Sequence, residues 1–290
     1  MQKIILEKQA PSITFQMKLV VFRVLKNGFL VLFSLLMIYP LYWLLISSFK
    51  TNEEFFQHPY SLPQEWTFDN IIRAWDIADM GRAMINSSFV TIAATLLTVF
   101  LGALTAYALS RFTFRLKGFI MVFFLLGMLI PIHSTLVPLF TLMNEVGLLN
   151  TYWALILPYT AFELPIAIFL TVAYMSSIPK EIEEAAVMDG AGYWGIFFRM
   201  ILPLSVPALS TVAILAFLRY WNEFVFALVF INDSSLKTLP LSLAIFSDGF
   251  STDYGLTMAA MAIAVIPTIL MYAFFQEQIM KGMVAGSVKG

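Results

Sequence analysis

The sequence predicts an all-α integral membrane protein with six transmembrane helices, and three observations support this prediction. Of its 290 residues, 60% are hydrophobic and only 12% are charged, whereas soluble domains carry roughly 25% charged residues. Apolar segments long enough for a bilayer, which requires roughly 20 residues per helix, recur along the chain. Lys and Arg are concentrated in alternate connecting segments. This composition excludes a soluble enzyme and a disordered chain.

The first three predicted spans contain no charged residue, and neither does the sixth. The fourth contains Glu163, and the fifth contains Arg219 and Glu223. No linker or short-period repeat divides the spans, so they form one membrane domain from 28 to 276. The predicted spans are residues 28–49, 84–110, 118–140, 152–175, 203–231 and 254–276.

The distribution of positive charge predicts the orientation of the spans. Twelve of the 17 Lys and Arg residues lie in the N-terminal tail (1–27), the 111–117 loop, the 176–202 loop and the C-terminal tail (277–290). Cytoplasmic loops carry an excess of Lys and Arg, so both termini are expected in the cytoplasm. The N-terminal region is not expected to be a cleaved signal peptide, because the apolar stretch that follows it is too long.

The residue inventory argues against several kinds of chemistry. Cysteine is absent, and the two histidines, His58 and His133, are far apart in sequence, so no metal centre is expected. No GxxxxGK[ST] motif is present, so we expect ATP hydrolysis, if it is required, to occur on another polypeptide. A net charge of −1 gives no attraction for nucleic acid.

The inner loop at 176–202 contains the most specific signal. Pro179 is suited to the first turn of a helix, the acidic residues that follow it favour the positive end of the helix dipole, and Asp189-Gly190 is expected to end the helix. Three/four spacing predicts one shared face for Ile182, Ala185, Ala186 and Asp189 and leaves Glu184 in need of a cation. Taken alone, such a charge run is more often just a solvated face.

The spacing of Glu184-Ala185-Ala186, Asp189-Gly190-Ala191 and Ile201-Leu202-Pro203 resembles the EAA loop of ATP-binding-cassette (ABC) importer permeases. The resemblance covers residues 28–290 and points to the carbohydrate branch of that family, the maltose and multiple-sugar type. His133 and Arg219 depart from the family's pattern. The other matching stretches are NSSFVTIAATLL at 86–97, IPIHSTLVPLF at 130–140, GLLNTYWALILPY at 147–159, YWNEFVFAL at 220–228 and AGSVKG at 285–290.

This resemblance implies a type I ABC importer permease fold in a bacterial plasma membrane. It implies half of the pore of an ATP-driven oligosaccharide importer, completed by a second permease, two ATPase subunits that bind ATP and Mg, and an extracytoplasmic sugar-binding protein. The short helix at about 179–190 would dock on the ATPase and couple its motion to the spans. The residues implied for this coupling are Glu181, Glu184, Ala185, Ala186, Asp189, Gly190 and Pro203. In the C-terminal tail, Gly286, Lys289 and Gly290 would reach the ATPase interface, although a frayed terminus is equally expected.

Polar residues at membrane depth define a candidate substrate pathway, because ionisable groups there usually face a cavity or each other. Arg219 and Glu223 are four residues apart and could pair on one helix face. Asn222 and Glu223 are favoured as pore residues, with stacking on sugar by Tyr220 or Trp221. The pathway therefore comprises Glu163, Arg219, Tyr220, Trp221, Asn222 and Glu223.

Two further features of these spans lead to expectations. His133 is expected to be a packing residue. Four prolines are expected to break the third and fourth spans: Pro131, Pro138, Pro158 and Pro165.

Three alternatives remain open from the sequence. A permease of the same superfamily could serve another solute, such as an amino acid, a polyamine or a phosphate ester. A proton- or sodium-coupled carrier could use Glu163 and Glu223 as ion sites, but it would have no need of the helix at 179–190 and often shows inverted repeats, which we do not find. A membrane-embedded enzyme would need a nucleophile–base or metal constellation, which these residues do not provide.

Overall fold

The computed structural model describes residues 13–247 and 253–287, and these residues form helices and connecting turns without strands. Fourteen α-helices are joined by short 3₁₀ turns and one π-helical turn at Phe197–Ile201. The α-helices are α1 Ile13–Ser47, α2 Asn52–Gln57, α3 Asp69–Ile77, α4 Met80–Arg111, α5 Lys117–Gly127, α6 Leu136–Glu145, α7 Trp153–Met175, α8 Glu181–Met188, α9 Tyr193–Ile196, α10 Leu202–Leu204, α11 Val206–Trp221, α12 Val225–Phe230, α13 Leu239–Ser242 and α14 Tyr254–Ser287.

Within the described part of the chain, four helices are long and apolar enough to cross a bilayer: Val21–Ser47 within α1, all of α4 and α7, and Tyr254–Gln276 within α14. Two bent pairs, α5 with α6 and its preceding 3₁₀ turn, and the segment Tyr193–Leu204 with α11, give up to six spans if each pair counts as one. The fold is therefore all-α and agrees with a six-span membrane protein.

Two predicted spans are interrupted in the structure, and the break in the third at Pro131 confirms the expectation for that proline. The third bends by 93° between Gly127 and Ile132, where Pro131 is extended (φ −66°, ψ 114°) and cannot continue the helix. The fifth bends by 72° near Ser205 and is interrupted again after Trp221, where α11 ends. Both breaks place polar side chains at helix ends inside the apolar region.

The expectation that Pro158 and Pro165 break the fourth span is wrong. Helix α7 runs through both prolines. Its packing against neighbouring helices outweighs the loss of the two backbone N–H groups that proline lacks. The closest approach is to α4, where a Cβ on Gly102 would lie only 3.2 Å from the Cβ of Ala167. Pro138 lies in the first turn of α6, where its missing N–H costs little.

Both predicted tails are partly helical. Helix α1 begins at Ile13, inside the predicted N-terminal tail, and α14 continues to Ser287, well beyond the predicted end of the sixth span at 276.

Residues 50–84, which connect the first two predicted spans and form the predicted outer loop if the N-terminus is cytoplasmic, are built into the helical bundle. The Asn70 side chain on α3 donates to the backbone carbonyls of Ser48 (3.1 Å) and Lys50 (2.7 Å). Lys50 is fully buried, and its Nζ donates to the carbonyl of His58 at 2.7 Å. Burial lowers the pKa of this lysine, against the opposing effect of the Glu54 carboxylate. The end of α1 is thereby fixed to α3.

Candidate functional site

Helix α8 ends as its sequence predicts. Gly190 has a positive φ of 82°, and the last carbonyls are closed by two backbone hydrogen bonds. The N–H of Ala191 donates to Ala186 O (2.9 Å), and the N–H of Gly190 donates to Val187 O (3.0 Å). These two bonds form a Schellman motif, for which glycine is the favoured residue in the left-handed position.

The two sides of α8 differ in exposure. Ala186 is buried (4% exposed) and Ile182 is half-buried, whereas Ala185 and Asp189 are exposed. These four residues follow the three/four spacing of one helix face, but only the edge of that face with Ile182 and Ala186 packs against the rest of the protein. The opposite side, which we call the exposed face of α8, comprises Glu181, Glu184, Ala185 and Met188.

Within the described residues, the α8 carboxylate that pairs with a cation is Glu183. The Arg111 guanidinium at the end of α4 lies 2.5 Å from the Glu183 carboxylate, and the two side chains are 4% and 16% exposed. Arg111 also donates to the carbonyl of Ile178 at 3.1 Å. Burial raises the pKa of Glu183, while Arg111 and Lys180 oppose the shift. Sequence reasoning missed this pair because its members are 72 residues apart.

The segment after α8 is anchored by aromatic packing. Phe197 is fully buried and lies 5.1 Å from the ring of Tyr107 on α4, while Tyr193 and Trp194 remain exposed. The predicted coupling residue Pro203 lies within the short α10, exposed, directly after the π-helical turn. Such turns occur frequently at functional sites.

A cavity of about 320 Å³ lies where α7, α11 and α12 meet the 3₁₀ turn before α6. Five of the six predicted pathway residues line it, and Trp221 does not. Trp221 is buried and stacks on Phe217 at 5.7 Å. The lining residues are Ile132, His133, Tyr159, Phe162, Glu163, Arg219, Tyr220, Asn222, Glu223, Phe224, Val225 and Phe226.

Arg219 pairs with Glu163 of α7 rather than with Glu223. Its Nη1 lies 2.7 Å from the Glu163 carboxylate. The arginine side chain is 54% exposed, while that of the glutamate is 5% exposed. The predicted pair of Arg219 with Glu223 on one helix face does not form, because α11 ends at Trp221, before Glu223.

Glu223 instead fixes the start of α12. Its carboxylate accepts from the N–H groups of Phe226 (2.8 Å) and Ala227 (3.4 Å) and from the Tyr159 hydroxyl (2.6 Å). A carboxylate is stabilised at the N-terminal end of a helix by these donors and by the helix dipole. Tyr159 was not predicted as a site residue because nothing in its local sequence distinguishes it from core.

Tyr220 connects the cavity wall to α4. Its hydroxyl donates to the carbonyl of Tyr159 (2.9 Å) and lies 2.8 Å from the Thr98 hydroxyl. Its ring stacks on that of Tyr159, with the ring centroids 5.2 Å apart. Tyr220 is therefore buried and cannot stack on a sugar, contrary to the expectation.

Two other residues are open to the cavity. Asn222 is exposed, and its side-chain amide donates to the Leu218 carbonyl at 2.7 Å. His133 is exposed and lines the cavity, which corrects its interpretation as a packing residue.

The C-terminal residues of the predicted interface are only partly covered by the structure. Gly286 lies in the final turn of α14. Lys289 and Gly290 lie outside the described residues.

The exposed acidic helix held at the end of one span, and the cavity lined by both charged and apolar side chains beside the interrupted third and fifth spans, agree with a membrane transport subunit. Residues 98–284 match the family described as the inner membrane component of binding-protein-dependent transport systems. The chain belongs to this family, and its identification as an ABC importer permease is confirmed.

Particular relatives extend the match over most of the chain. It is 43% identical to the probable ABC transporter permease protein YurM of Bacillus subtilis, covering 90% of this chain and 87% of YurM. It is 38% identical to the diacetylchitobiose uptake system permease protein NgcG of Streptomyces coelicolor, covering 92% of this chain and 87% of NgcG.

A solved structure supports the fold. A chain from a bacterial ABC transporter involved in the import of the acidic polysaccharide alginate superposes with a TM-score of 0.79, at 23% identity, covering 89% of this chain and 96% of that chain. The type I importer permease fold is therefore shown for this protein.

Proposed function

We propose that this protein is a permease subunit of an ATP-driven oligosaccharide importer in the bacterial plasma membrane and that it forms half of the translocation pore. Its family defines membrane components that act with a binding protein, and NgcG, a close relative, serves the uptake of a sugar. The excess of Lys and Arg in alternate connecting segments supports a cytoplasmic location for both termini and for α8. The partners are a second permease, two ATPase subunits that bind ATP and Mg, and an extracytoplasmic sugar-binding protein.

The observation that carries this proposal is the geometry of α8. Its exposed face presents Glu181, Glu184 and Ala185 away from the bundle, while Ala186 and Glu183 hold the opposite face against it. An exposed acidic face is suited to a basic groove, and a charge-assisted contact from Glu184 to an arginine would be directional. Asp189, Gly190 and Pro203 would set the end of the helix and its connection to the next span, and the C-terminal residues Gly286, Lys289 and Gly290 would add a second contact.

The cavity supplies the chemistry expected for sugar passage. Arg219 and Asn222 offer exposed donors and acceptors, and Phe162 and Phe224 add apolar surface, a combination typical of carbohydrate contacts. A site for a coupling ion has less support, because Glu163 and Glu223 are already engaged by Arg219 and by Tyr159 with the α12 backbone.

The test is reconstitution of the complete importer in proteoliposomes with Glu184→Lys in this subunit. We expect sugar uptake to be lost while ATP hydrolysis continues or the ATPase dissociates. Glu145→Lys makes the same charge change at an exposed residue outside both sites and should transport normally. Uptake at the wild-type rate in the Glu184→Lys complex would refute the coupling role, and the absence of any ATPase in the wild-type complex would refute the function.

A further inference from the structure

We propose that the buried Arg111–Glu183 pair is the positioning contact that transmits movement of α8 to the translocation cavity through α4. The inference rests on the proposed function and deepens it. Neither residue belongs to the exposed face of α8, so neither is available to bind an ATPase directly. Both are held within the chain, with side chains only 4% and 16% exposed.

The Arg111–Glu183 pair connects α8 directly to the end of α4. Arg111 is the last residue of α4, and its guanidinium contacts both the Glu183 carboxylate (2.5 Å) and the Ile178 carbonyl (3.1 Å). Arg111 therefore contacts both α8 and the segment that connects α7 to α8. A buried charge pair resists separation, because either partner left alone would be a desolvated charge.

A second contact restrains the same region. One turn earlier on α4, the Tyr107 hydroxyl donates to the carbonyl of Tyr193 at 3.3 Å, and its ring contacts Phe197. Ala186 of α8 packs in the same apolar cluster. Apolar contacts of this kind allow sliding, whereas separating the buried ion pair would leave a desolvated charge.

Helix α4 is suited to carry a displacement. It has 32 residues without an internal proline and would span about 48 Å at 1.5 Å per residue. Thirteen residues from Arg111, about 20 Å along the axis, Thr98 contacts the hydroxyl of Tyr220. Tyr220 in turn binds Tyr159, which binds Glu223 at the cavity wall.

The close contact between α4 and α7 extends this connection. A Cβ built on Gly102 would lie 3.2 Å from that of Ala167, so the two helices pack without room for a larger side chain there, and a shift of α4 is expected to move α7, which carries Glu163. A displacement of α8 is therefore delivered to both walls of the cavity.

The experiment measures the number of ATP molecules hydrolysed per sugar transported by the assembled importer in proteoliposomes. The variants are Arg111→Gln, Glu183→Gln and the double variant, which removes both charges and leaves no buried charge unpaired. We expect each variant to raise the ratio by about fivefold or more, the lower end of couplings between linked sites. The double variant should equal the single variants, because both residues act through one contact.

Matched controls and a readout independent of folding make the test decisive. Arg115→Gln removes an exposed arginine from the same loop, and Glu145→Gln removes an exposed carboxylate; both should keep the wild-type ratio. If the pair were purely structural, the variants would lower the yield of complex, but the assembled complexes would hydrolyse the wild-type number of ATP molecules per sugar transported. This result would overturn the proposal. If the double variant does not assemble, Arg111→Lys, which keeps the charge and loses the second donor, decides the question by the same ratio.

The outcome is distinguishable from failure of the proposed function. If the wild-type complex transports sugar and Glu184→Lys uncouples it, but the Arg111 and Glu183 variants do not, only the transmission route is wrong.

Discussion

The Arg219–Glu163 pair predicts an asymmetry between two substitutions that remove the same contact. Glu163 is almost fully buried at 5% exposure, whereas Arg219 is 54% exposed on the cavity side. Arg219→Gln leaves a desolvated carboxylate behind and should cost about 3–5 kcal/mol. Glu163→Gln leaves an arginine that water in the cavity can solvate, and should cost only about 0–1 kcal/mol.

The assay is thermal unfolding of the purified complex in detergent. After heating to each temperature, size-exclusion chromatography measures the fraction of complex that remains intact. The midpoint should fall clearly for Arg219→Gln and little for Glu163→Gln, and the double variant should recover most of the loss because no buried charge remains. An equal loss for the two single variants, or a larger loss for Glu163→Gln, would refute the assignment of burial to the glutamate.

Three further substitutions test local geometry through the melting temperature of the complex. Gly255→Ala would place a Cβ 2.5 Å from a backbone carbonyl oxygen and should cost about 1–3 kcal/mol by overpacking; an unchanged melting temperature would contradict that approach. Gly190→Ala should lose about 1–2 kcal/mol because φ is positive, while Gly192→Ala, at φ −80° in open space, should be neutral. Tyr159→Phe removes the 2.6 Å bond to Glu223 and should cost about 1.5–3 kcal/mol; a melting temperature equal to that of the unmodified complex would show the bond to be dispensable.

The features that the sequence predicted correctly depend on local patterns. Apolar length predicted the membrane helices, and the Asp189-Gly190 dipeptide predicted the end of α8, because each is determined by neighbouring residues. The EAA spacing then identified the family, which the comparisons confirm.

The features that sequence reasoning missed depend on contacts between distant residues. The partner of Arg219 is 56 residues away and that of Arg111 is 72 residues away, and no periodicity links them. Pro158 and Pro165 look locally like helix breakers, yet packing around α7 keeps that helix intact. The break at Asn222 depends on Glu223 binding the backbone of α12, which converts an expected helix-face pair into a helix cap.

The most direct test of the central claim is site-specific photocross-linking in cells. A photoreactive amino acid replaces Met188, which is 87% exposed on α8, or Tyr60, which is 79% exposed in the predicted outer loop. We expect the probe at position 188 to cross-link to the ATPase subunit and the probe at position 60 to give no such product. Cross-linking of position 188 only to lipid, with no ATPase adduct in a complex that still transports sugar, would contradict the account.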